Sequence, residues 1–179
     1  LLQLVIGSSA VSLGVLLGTF MGGLCLGSVG FSRVVSVRRH PLRVYATLEL
    51  GIGIIGLLVL FTLPYVSQLY TAFVGGGLRG ILFRASVCAI ILLPPTVLMG
   101  ATLPAIARWM ETTLQGVSRL GFFYGANIAG AVFGCLLAGF YLLRVHDVAV
   151  ATYVAAAINA GVAIIGLGLA LVAAPQLVD

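Results

Sequence analysis

Few residues in this sequence could do chemistry, and the foremost is Glu49. It is a carboxylate about one turn inside a long apolar stretch. A charged group at membrane depth is costly and marks a functional candidate by default. Glu49 could accept a proton or pair with a cation. It could also reach back to Arg43 in the adjacent basic loop, and its closeness to that loop favours this last role. Tyr124 and Asn127 are three residues apart and share one helix face. They could cap a turn opened by proline on a neighbouring helix, or touch a ligand. Asn159 has the type and setting of a cross-helix hydrogen-bonding residue. His40 and His146 fall at opposite membrane edges and cannot share a metal. Cys25, Cys88 and Cys135 lie in apolar spans without metal-ligand spacing and read as buried small hydrophobes. No nucleophile–base pair, phosphate loop or Cys-x-x-Cys is visible. We therefore expect no catalytic residue, cofactor-binding residue or metal ligand in this chain, and no cofactor.

The elements that position these residues must be membrane helices. Of 179 residues, 61% are hydrophobic and 7% are charged, against about 25% charged in a soluble domain. Mean hydropathy is +1.24. A bilayer core takes about 20 apolar residues per helix, and such stretches recur at 11–31, 44–66, 81–106, 121–143 and 148–174. The predicted fold is all-α: a polytopic bundle of five transmembrane helices forming a single domain over residues 1–179. The chain opens at Leu1 in apolar sequence, which suggests a piece of a longer protein.

The net charge of +5 sits in short loops, which is a topology signal and not a nucleic-acid surface. Arg33, Arg38, Arg39, Arg43, Arg108 and Arg119 fall on one side; Arg79, Arg84 and Arg144 fall on the other. Six against three places the first side, and the C-terminus, in the cytoplasm. Gly75-Gly76-Gly77 marks the connection between the second and third spans. The third span carries Pro94, Pro95 and Pro104. Each removes a helix hydrogen bond, so this helix should be kinked or broken, with the hydroxyls of Thr96 and Thr102 near the break.

Lipid is as apolar as leucine, so membrane helices join where small residues let backbones approach. Gly14, Gly18 and Gly22 form one such stripe on the first span, and Gly23 and Gly27 a second. Gly130 and Gly134 form another on the fourth. The implied partners are the lipid bilayer and other membrane segments or subunits.

The stretch 92–108, LLPPTVLMGATLPAIAR, resembles the hallmark of the membrane region in large bacterial spermidine synthase-like proteins. Residues 17–27 followed by Arg33, residues 41–53 (PLRVYATLELGIG, with Glu49 at the matching position) and residues 123–140 (FYGANIAGAVFGCLLAGF) are similar to other helices of that region. The resemblance implies the bacterial inner membrane. It also implies a non-catalytic membrane module that anchors a cytosolic aminopropyltransferase-like domain, with the catalytic residues outside this chain. The basic loop lacks the aspartate that often accompanies its arginines in that family. Two other functions fit the same residues. One is a structural subunit of a larger membrane complex, which suits the glycine faces. The other is a transporter of a small, possibly cationic solute such as a polyamine, in which Glu49 and the proline-bearing helix would act.

Overall fold

A computed structural model describes residues 10–35, 39–73, 78–110 and 114–172. They form α1 (Ala10–Val34), α2 (Pro41–Phe73), α3 (Leu78–Met110), α4 (Leu114–Leu136) and α5 (Val148–Val172), with no strand among the described residues. α4 continues through a π-helical turn, Leu137–Leu142, and a last α-helical turn, Leu143–Val145. Each of the five helices contains an apolar span of 19 to 26 residues, long enough to cross a bilayer core. The protein is thus an all-α polytopic membrane bundle. Residues 1–9, Gly75 to Gly77, Glu111 and residues 173–179 lie outside the described residues.

The helices pack in the lateral order α1, α3, α2, α5, and α4 stands to one side. The tightest seam is α1 on α3. A Cβ added to Gly27 would fall on the carbonyl of Val97, and one added to Gly100 would fall on the backbone of Leu24. Gly23 lies against the Thr96 side chain, whereas Gly27 and Gly100 face backbone. Backbone therefore meets backbone, the arrangement small residues permit in lipid. The stripe that closes this seam is Gly23 and Gly27. Gly14, Gly18 and Gly22 have nothing within 4 Å of a modest side chain. Among the described residues they join no other helix. The same holds for Gly130 and Gly134 on α4.

Helix ends follow local chemistry. Pro41 is the first residue of α2, where its missing N–H costs nothing. The carbonyl of His40 accepts from the amides of Arg43 (3.1 Å) and Val44 (3.2 Å). α5 starts behind Asp147, whose Oδ1 accepts from the Val150 amide at 2.9 Å. Removing such a cap costs about 1 kcal/mol, so Asp147→Ala should lower the unfolding midpoint in detergent by about 2–4 °C. Asp147→Asn should leave it nearly unchanged.

The third helix is not broken. α3 is one uninterrupted helix through Pro94, Pro95 and Pro104. The prolines remove donors but do not end the helical path, because the turns on either side are held by packing against α1 and α2. The Thr96 hydroxyl donates within its own helix, to the carbonyls of Leu92 (2.9 Å) and Leu93 (3.0 Å). Thr102 donates to Met99 at 2.7 Å. Neither serves the carbonyls of Ile90, Ile91 and Gly100, four residues before the prolines. The second helix also differs: α2 extends to Phe73 and α3 resumes at Leu78, so the connection is shorter than 67–80.

Candidate functional site

A partly buried carboxylate lies on the seam between α2 and α5. Tyr45 and Glu49 are one turn apart on α2, and their side chains interact. This i, i+4 spacing brings side chains together on any helix. The partner of Glu49 is thus Tyr45 and not Arg43, which is exposed. One turn above Glu49, Gly53 stands 3.5 Å from the Cβ of Asn159, measured from the position of an added Cβ. One turn below, Tyr45 stands at the same 3.5 Å from Gly166 of α5. Glu49 therefore occupies a register between these two contacts. The structure gathers Glu49, Tyr45 and Asn159 along one antiparallel seam. A phenol and an amide on a carboxylate's own seam can share a proton or hold the carboxylate in place. They do not make a nucleophile and base.

The basic end of the bundle is closed by Arg108, near the end of α3. Its Nη1 donates to the carbonyl of Val35 at 3.2 Å, beyond the last turn of α1. Its guanidinium carbon lies 4.6 Å from the centre of the Phe31 ring. Phe31 is buried with Val44, Ala101 and Ala105, and Val35, Tyr45 and Leu48 pack against this cluster. One arginine thus ties α1 to α3 at the membrane edge, through a charge-assisted hydrogen bond and a cation–π contact. His40 is nearby in sequence, at the start of α2; its Nδ1 is enclosed without a hydrogen-bond partner.

Among the described residues, α4 is held mainly at its ends. Its start approaches α3 and its π-helical end approaches α5. Between them every residue from 124 to 136 is exposed, with Phe133 at 66%. Tyr124 and Asn127 are therefore not buried polar residues. Tyr124 lines a groove of about 390 Å³ whose other walls include Pro104 and Ala107 of α3 and Ser28 of α1. It reaches the proline helix as a wall of this groove, while Asn127, one turn on, is exposed. At the far end, Tyr141 and His146 meet edge to face, with ring centres 6.0 Å apart.

Of the three cysteines, only Cys88 is buried; Cys25 and Cys135 are exposed on their helices. Apolar surroundings at these two come from lipid and not from packing. Among the described residues no group of three His, Cys, Asp or Glu could hold a metal ion. Sequence reasoning did not single out Tyr45, Phe31 or Arg108. The Tyr45–Glu49 spacing carried a readable signal. The Phe31–Arg108 contact did not, because it joins two separate helices.

No family model, no curated protein and no solved structure matches this chain.

Proposed function

We propose that this protein is a non-catalytic membrane module that holds another polypeptide. The observation that carries this reading is the state of α4. It is tethered at both ends, and its middle presents an open small-residue stripe at Gly130 and Gly134. Such stripes serve close helix approach, and nothing among the described residues fills this one. The resemblance of residues 92–108 to spermidine synthase-like membrane regions gives the held polypeptide a chemistry. It would be an aminopropyltransferase-like unit on the cytoplasmic side, which is the arginine-rich side. Residue types along the bundle support the absence of catalysis within it.

A transporter is the second reading, and the Tyr45–Glu49 pair favours it. One experiment separates the two. The protein is isolated from its native membrane with whatever is joined to it. Aminopropyl transfer from decarboxylated S-adenosylmethionine to a polyamine is then measured beside polyamine uptake in cells. The module reading predicts transfer in the isolated material, with uptake unchanged in Glu49→Gln. Loss of uptake in Glu49→Gln, with no transfer activity, would replace it with the transporter.

A further inference from the structure

The groove between α3 and the start of α4 is distinct from the Gly130 and Gly134 stripe. It is walled by aliphatic and aromatic side chains, with the hydroxyls of Ser28 and Tyr124 as its polar points. Met110, the last residue of the third span, and Gly121, the first of the fourth, both line it. Its upper end therefore reaches the bilayer edge on the arginine-rich side. Its volume of about 390 Å³ lies within the range of about 300–1,000 Å³ usual for small-molecule sites.

Charge around that end is of one dominant sign. Arg33 is exposed in the last turn of α1, five residues beyond the groove residue Ser28. Arg108 lies one turn beyond the groove residue Pro104, and Arg119 precedes Gly121 by two residues in the sequence, against a single acid, Glu111. We propose that this groove binds an anionic phospholipid, with one acyl chain between α3 and α4 and the phosphate at the arginine-bearing end. The apolar walls suit the chain. The Tyr124 hydroxyl, on an amphipathic ring at the interface, suits the ester region. Arginine suits the phosphate. A neutral lipid would satisfy the walls but leave the cationic rim without a counter-charge.

The test uses the purified protein exchanged into an equal mixture of phosphatidylglycerol and phosphatidylcholine, with retained lipid counted by native mass spectrometry. The arginines at this end predict retention of phosphatidylglycerol over phosphatidylcholine by about tenfold or more. Gly121→Leu fills the groove from the α4 side. A Cβ there meets nothing within 4 Å, so the variant should fold, which its thermal unfolding checks. It should lose the retained lipid, as should Ala107→Phe from the opposite wall. Gly139→Leu, on the same helix but away from the groove, should keep it. Arg33→Gln should keep a lipid but reduce the preference for phosphatidylglycerol. Equal retention of the two lipids by the wild type would overturn the proposal. So would undiminished phosphatidylglycerol in folded Gly121→Leu, or a second polypeptide mapped to the groove by cross-linking.

Discussion

Gly27→Leu should abolish the folded bundle, while Gly18→Leu on the same helix should leave it intact. The two glycines belong to parallel stripes that look alike in the sequence. At Gly27 even a methyl group would overlap the Val97 carbonyl and approach the Cα of Gly100 at 3.0 Å. Relief requires the α1 and α3 backbones to separate, because no flexible side chain end is there to move. Overpacking typically costs about 1–3 kcal/mol. A whole seam forced open should lie at or above the top of that range, a large part of the about 5–15 kcal/mol that holds a typical domain. At Gly18 an added Cβ meets open space, and leucine faces lipid at no cost. The check is the fraction of each variant that stays monodisperse in mild detergent, with its midpoint of thermal unfolding. Equal loss in both variants would mean that Gly18 is packed as well.

Arg108→Met should produce the second large loss, about 2–4 kcal/mol. It removes a hydrogen bond from a charged donor, worth about 1.5–3 kcal/mol, and a cation–π contact of about 0.5–2 kcal/mol. The apolar stem is retained, so the packing of the side chain against α1 changes little. Arg108→Lys should recover only part of the loss, because an ammonium group lacks the planar fork that spans the Phe31 ring and the Val35 carbonyl together. A double-mutant cycle with Phe31→Leu, read by unfolding in detergent, isolates the ring contribution. Its coupling should be positive and near the cation–π range. A coupling of zero would leave only the Val35 hydrogen bond at this corner.

Both predictions concern features that sequence alone discloses unequally. The five spans were legible because hydropathy over about 20 residues is a direct readout of bilayer thickness. The choice between glycine stripes was not. In lipid, a glycine facing a helix and one facing acyl chains sit in equally apolar surroundings, so spacing cannot distinguish them. The deciding partners, Thr96 and Gly100, lie on another helix about 70 residues away. The prolines of α3 were legible as residues that remove donors. Continuity of the helix depends on packing from both sides, which the local sequence does not encode. For Glu49, depth was readable but Tyr45 was not named beside it. Tyr45 sits on the same helix face one turn away, closer in register than the loop arginine. Tyr124 and Asn127 were read as interior because polar residues in spans usually are. They are exposed because, among the described residues, α4 packs mainly at its ends.

The open middle of α4 is also where the account is most directly tested. A photoreactive amino acid at Phe133, activated in the native membrane, reports what covers that face, and one at Ile164, exposed at 69% on α5, reports the lipid-facing background. The account predicts that Phe133 joins covalently to a protein segment outside residues 10–172, identified by peptide mapping, and that this adduct disappears when Gly130 and Gly134 are both changed to leucine. Lipid adducts alone at Phe133, equal to those at Ile164, would contradict it and leave α4 as a helix that faces only the bilayer.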